Sequence, residues 1–101
     1  MIKHIVMWKL LEETSKHGPK SQAAMKGKEL LESLVGKVPT LLKAEVGINS
    51  NPDTKNFDLA LYCEFDDWAG LEIYQEHPEH KKVAKFIGEI RSDRSAVDYE
   101  F

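Results

Sequence analysis

The chain has a single cysteine, Cys63, so no disulfide can form within it. Cys63 lies inside an apolar alternation, where a thiol behaves as a small buried hydrophobe rather than a nucleophile. No stretch approaches the roughly 18 apolar residues of a membrane span. Nor does charge of one sign dominate: the formal net charge is −3 and acidic and basic residues are interspersed throughout. Such a surface gives no electrostatic footprint for nucleic acid or an anionic membrane, and no basic stripe carries interleaved aromatics. Lys81, Lys82 and Lys85 stand among Glu76, Glu79 and Glu89 and read as a solvated helix face. The opening MIKHIVMWKLL lacks a signal peptide's long apolar run and small-residue cleavage site, so a cytoplasmic location is expected. Repeats, low-complexity stretches and linkers are absent.

What remains is an ordinary globular composition, 42% hydrophobic and 31% charged, which argues against disorder. A chain of 101 residues has room for one domain spanning residues 1–101. It buries roughly 60–65% of its unfolded surface, which leaves a modest core.

Residues 2–11 alternate, with Ile2, His4, Val6, Trp8 and Leu10 on one side and Lys3, Ile5, Met7 and Lys9 on the other, as in a strand. Pro19 suits the first turn of a helix. Met25, Leu30, Leu31, Leu34, Val35 and Val38 then recur as a helical stripe that should stop near Gly36, before Pro39. Alternation returns over 42–49, with Ala44, Val46 and Ile48 on one side. The turn formers Asn49 to Asp53 lead into the strongest strand, 56–65, with Phe57, Leu59, Leu61, Cys63 and Phe65 on one face. Asp66 or Asp67 can cap a short helix carrying Trp68, Leu71 and Tyr74. His77-Pro78 should break it, and a second helix restarts at Pro78 with Val83, Phe86, Ile87 and Ile90 buried. Residues 96–101 close the chain as a strand, with Val97, Tyr99 and Phe101 expected to join the face that meets the helices.

The order β-α-β-β-α-β is the ferredoxin-like split arrangement of an α+β protein. Its central strands are 2–11 and 56–65, and both helical segments cover one face. The other face carries Ile5, Met7, Ala60 and Tyr62 at its centre, with Lys3, Lys9, Asp58 and Glu64 towards its ends and Asp98 and Glu100 on the edge strand. An apolar centre inside a polar rim is the composition of an interface, so a homodimer through the helix-free sheet face is expected, burying about 800 Å² per partner. The alternative is a monomer with a scattered apolar surface.

Ile2-Lys3-His4-Ile5-Val6-Met7-Trp8-Lys9-Leu10 and Asp58-Leu59-Ala60-Leu61-Tyr62-Cys63-Glu64-Phe65 resemble segments of the stress-responsive dimeric A/B barrel (Dabb) family. The most specific likeness is Tyr74-Gln75-Glu76-His77-Pro78-Glu79-His80, similar to that family's Tyr-x-x-His-Pro-x-His segment, and the likeness extends to Val97-Asp98-Tyr99. The resemblance implies a homodimeric α/β barrel with its helices outside. It also implies one of two functions. The first is a cofactor-free acid/base enzyme, cyclase- or isomerase-like, on a small apolar carbonyl compound. The second is a non-catalytic stress-associated dimer that binds a hydrophobic small molecule or acts as a scaffold.

By resemblance to the cyclase branch, Tyr74 and His80 would be the acid/base pair, with His4 as their partner. His80 falls in the first turn of its helix, where free N–H groups and the helix dipole disfavour an added positive charge, although Glu76 and Glu79 act in the opposite sense. A neutral imidazole is the form a general base needs. Val6, Trp8, Leu31, Leu59 and His77 would line the pocket; in the cyclase branch the positions of Leu31 and Leu59 are polar. His4 could equally be a core histidine satisfied by a backbone carbonyl or by Tyr74. His77 could cap the second helix. His77 and His80 beside Glu76 or His4 match no strong metal signature, and no haem ligand set is present, so no cofactor is expected. His17, in a polar loop, is expected to face solvent.

Overall fold

The computed structural model describes all residues, Met1–Phe101. Strand β1 (Ile2–Leu10) is followed by a two-residue hairpin, β2 (Glu13–Thr14) and β3 (Gly18–Pro19), and by helix α1 (Lys20–Glu32). Then come β4 (Lys43–Ile48), β5 (Leu59–Phe65), α2 (Trp68–Glu76), α3 (Pro78–Ile90) and β6 (Arg91–Glu100). The main sheet runs β4-β5-β1-β6, all antiparallel, with β1 and β5 central. This is the ferredoxin-like α+β fold, elaborated by the small hairpin and by the division of the second helical segment in two.

Alternation explains the core. Ile2, His4, Val6, Trp8 and Leu10 on β1 and Leu59, Leu61, Cys63 and Phe65 on β5 are buried against Leu71, Tyr74, Val83, Ile87 and Ile90 of the helices. Asp67 caps α2 by accepting a hydrogen bond from the Gly70 N–H at 2.8 Å. His77 ends α2 and starts α3: its N–H returns to the Tyr74 carbonyl, while its Nδ1 accepts from the Glu79 N–H at 3.1 Å. Pro78 fills the first position of α3, where an N–H would have no helical partner anyway. The elbow forecast from the His-Pro pair is therefore present, with His77 as its cap.

Helix α1 departs from the expected stripe. Its buried residues are Ala23, Ala24, Gly27 and Leu31, whereas Met25 is 60% exposed and Val35 lies outside the helix and exposed. Small side chains let α1 approach closely: a Cβ at Gly27 would stand 3.3 Å from Ile87 and 3.4 Å from Leu59. Leu34 and Val38 are buried, but from the turns after the helix. Lys28 donates to the Val46 carbonyl (2.6 Å) and Glu32 accepts from the Val46 N–H (3.0 Å), so α1 occupies backbone groups on the sheet's β4 edge. Trp68, at the start of α2, lies exposed and donates to Glu100.

The largest correction concerns β6. Its register sets Asp98 opposite His4, Ala96 opposite Val6 and Arg94 opposite Trp8. Its apolar phase therefore joins Ile5 and Lys3 on the helix-free side, and Asp98 and Glu100 move to the helix side. The helices pack over β4, β5 and β1 and leave the edge strand uncovered, so nothing on their side demands an apolar partner from β6. Val97 (53% exposed), Tyr99 (41%) and Phe101 (54%) thus enlarge the apolar helix-free face around Met7 and Tyr62. Lys3 stands at one end of that face, its ammonium 4.3 Å from the Phe101 ring.

Candidate active site

His4 lies on the buried phase of the central strand, flanked in register by Cys63 and Asp98. It is the only buried polar or charged side chain, at 4% exposure, and its Nδ1 is hydrogen-bonded to the Asp98 carboxylate. Above it Tyr74 reaches down from α2 and is 1% exposed, its ring 6.2 Å from His4 and 5.1 Å from Phe65. Beyond the elbow, the first turn of α3 carries His80, whose ring centroid stands 4.4 Å from that of Tyr74.

These three rings border a cavity of about 160 Å³. Val6, Trp8 and Leu61 form its sheet side; Leu31, Ala84 and Ile87 form its helix side; Arg91 and Arg94 stand where it opens beside β6. An engineered cavity of about 150 Å³ accepts benzene, whereas pockets for drug-sized ligands run to about 300–1,000 Å³. The space suits one small ring or a short branched chain. A larger groove of about 740 Å³ beside α1 is open and lined chiefly by polar and charged side chains such as Lys16, Gln22, Lys26 and Glu29.

Burial is the main reason that His80 holds its proton less tightly than an ordinary histidine. The nearby His4 and Arg94 add to this, while the Gln75 carbonyl and Glu76 oppose it. His80 Nδ1 is sealed from solvent without a hydrogen-bond partner. Burial also pushes the Tyr74 hydroxyl well above the usual phenol range, and the neighbouring Cys63 adds to that. Cys63 itself is pushed up to about 12 by burial, with the Tyr74 hydroxyl acting in the opposite sense and Asp98 raising it further. Around neutral pH the cavity therefore presents the neutral imidazole of His80 and an un-ionised phenol, while the Cys63 thiol, also un-ionised, stays in the core beside Tyr74. At His4, the Asp98 carboxylate on Nδ1 fixes that nitrogen as a donor and sets the orientation of the ring.

Of the residues picked from sequence, His4, Tyr74, His80, Val6, Trp8 and Leu31 come together around this cavity. Leu59 and His77 do not. Leu59 is in the core beneath Gly27, and His77 turns its Nδ1 to the Glu79 N–H as the cap of α3. No group of three His, Cys, Asp or Glu side chains is placed to hold a metal. His17, expected in solvent, packs edge-on against Phe86 at 4.8 Å and bonds Glu89 at 2.8 Å. Sequence reasoning missed Asp98, Arg91 and Arg94. Antiparallel pairing of the last strand with β1 could have placed Asp98 beside His4; nothing local marks the arginines.

The stress responsive A/B barrel domain model matches residues 2–101. Among solved structures, a dimeric protein of unknown function with a ferredoxin-like fold from Bacteroides fragilis NCTC 9343 is 38% identical. The match covers 99% of this chain and 95% of that one, with a TM-score of 0.87. A dimeric ferredoxin-like protein of unknown function from Thermobifida fusca YX is 23% identical over 99% and 90% of the two chains, with a TM-score of 0.83. A hydroxynitrile lyase from Passiflora edulis is 16% identical over 97% and 90%, with a TM-score of 0.80. At such identities the last two share the fold and carry nothing further. No curated protein matches the sequence.

Proposed function

Because the chain belongs to the stress responsive A/B barrel (Dabb) family, we propose that residues 1–101 act as one Dabb unit and pair as a homodimer. Its cavity would serve as a cofactor-free proton-transfer site for a small apolar carbonyl compound. His80 Nε2 removes a proton from the carbon next to the carbonyl. The Tyr74 hydroxyl, whose polar neighbour is the weakly accepting Cys63 thiol, donates to the oxygen as negative charge develops there. His4, held through Nδ1 by Asp98, lines the cavity beside this pair and helps to orient the ligand, and His80 itself returns the proton. The observation that carries this reading is the meeting of His4–Asp98, Tyr74 and His80 on one small, mostly apolar cavity, with His80 favoured in its neutral form.

Pairing through the helix-free face is supported by the dimeric relatives and by the exposed Met7, Val97, Tyr99 and Phe101. A second reading, ligand binding without chemistry, is favoured by the apolar Leu31 and Leu61 walls.

Phenylacetone, whose ring matches the cavity in size, provides the test through exchange of its benzylic protons in D2O, followed by NMR. The wild-type protein is expected to accelerate exchange, and His80→Gln to lose about 10²–10⁴-fold of that acceleration. Acceleration that survives His80→Gln ends the proton-transfer reading. Saturable binding without any acceleration replaces it with the binding reading.

A further inference from the structure

The chain carries only two arginines against twelve lysines, and both border the same cavity. This placement depends on a local irregularity. Arg91 and Arg94 are three residues apart, and in a regular strand side chains three apart point to opposite faces. Between Lys9 and Leu10 the pairing of β1 with β6 shifts: Lys9 faces Asp93 while Leu10 faces Arg91, which leaves Ser92 as the extra residue. Leu10 is on the buried phase of β1, as is Trp8, the partner of Arg94. The bulge therefore returns Arg91 to the helix side that Arg94 already occupies. Bulges beside active sites commonly re-aim a side chain in this way.

Neither guanidinium takes part in any salt bridge or side-chain hydrogen bond of the chain. Its ion pairs are made by lysines and histidines alone. The carboxylates on the same face of β6, Asp98 and Glu100, are four and six residues beyond Arg94, about 13 and 20 Å along a strand, and are engaged with His4 and Trp68. Among the residues that line the cavity the two arginines are therefore met by no carboxylate, which leaves positive charge beside an apolar space. An anion matches that charge, and a planar guanidinium pairs with a carboxylate through two parallel hydrogen bonds.

We propose that Arg91 and Arg94 form a carboxylate clamp at the cavity mouth, so that the ligand is a small apolar carbonyl acid whose hydrocarbon part enters the cavity while its carboxylate stays at β6. The substrate class builds on the proton-transfer reading, but the clamp itself is a statement about binding. The two are tested separately.

Phenylpyruvate and phenylacetone share the benzyl ketone unit and differ in a carboxylate against a methyl group. The wild-type protein is expected to bind phenylpyruvate about tenfold to a hundredfold more tightly than phenylacetone by calorimetric or NMR titration. Arg94→Gln and Arg91→Gln should each remove a large part of that preference, and the double variant all of it. Thermal melts of each variant serve as the control for folding, and phenylacetone affinity should change far less than that of phenylpyruvate. Arg94→Lys should restore only a fraction, since an ammonium cannot make the paired contact. Equal affinity for the two probes overturns the clamp, as does a preference that the double variant retains. Both results leave His80-dependent exchange of phenylacetone intact if the proton-transfer reading is right. Conversely, an Arg-dependent preference without accelerated exchange upholds the clamp and overturns the proton-transfer step alone.

Discussion

Removal of the Tyr74 hydroxyl separates a chemical role from a packing role. Tyr74 is 1% exposed and its ring packs against Phe65, His80 and His4 at 5.1, 4.4 and 6.2 Å. Truncation to alanine deletes those contacts and leaves a cavity costing about 3–5 kcal/mol. That is a large share of the roughly 5–15 kcal/mol that holds a domain of this size together. Tyr74→Phe keeps the ring and removes one oxygen whose neighbour is the Cys63 thiol. A weak acceptor implies a weak bond, so the loss should stay near or below about 1 kcal/mol, or about 4–8 °C in Tm. If the hydroxyl donates to a developing oxyanion, the same substitution should slow benzylic exchange of phenylacetone by about 10²–10³-fold. Thermal melts and exchange rates, taken at one protein concentration because association contributes to stability, give both numbers. Unchanged exchange in Tyr74→Phe would refute the donor role. A fall in Tm as large as that of Tyr74→Ala would show that the oxygen is structural.

Val97→Asp places a charge in the apolar helix-free face without disturbing the buried core of one subunit. In a two-fold pair each substitution acts twice, and each forfeits about 1.5–3 kcal/mol of side-chain burial besides the cost of the carboxylate. Light scattering should give twice the 11.5 kDa chain mass for wild type and a mass near 11.5 kDa for Val97→Asp at micromolar concentration. A variant that stays paired places the interface elsewhere. Acid should also weaken the fold through His80. Burial, with His4 and Arg94, lowers its proton affinity in the folded chain, whereas the unfolded chain protonates near the usual value of about 6.5. Below that value the unfolded state binds more protons, so this contribution is intact above about 6.5 and is lost as pH falls towards the folded value. Tm of wild type should therefore drop more steeply than that of His80→Gln between about pH 7 and 5, and parallel curves would contradict the assignment.

The sheet was legible wherever one strand alone carried the pattern. In β1 and β5 burial on one side forces strict alternation, and His77-Pro78 marks the elbow because proline restricts the residue before it. The reading went wrong where the deciding partner lay outside the segment. In β6 the apolar phase was sent towards helices that do not reach the edge strand. In α1 the stripe of large residues was conspicuous, but close packing selected Ala23, Ala24 and Gly27, whose value is the space they leave. His17 found its partner 72 residues away at Glu89. The site shows the same division. His4, Tyr74 and His80 follow from strand phase and a local motif, whereas Asp98 needs the β1–β6 register and Arg91 needs a bulge that exists only once two strands pair.

The corner at His77 decides more than where one helix ends. Along an unbroken α-helix, residues six apart are rotated by about 240°, so Tyr74 and His80 would look away from each other on a straight rod. Their rings touch only because the chain bends between them. A side chain that made the rod straighter, or sturdier as a helix, would part the phenol from the imidazole while leaving every residue of the site in the sequence.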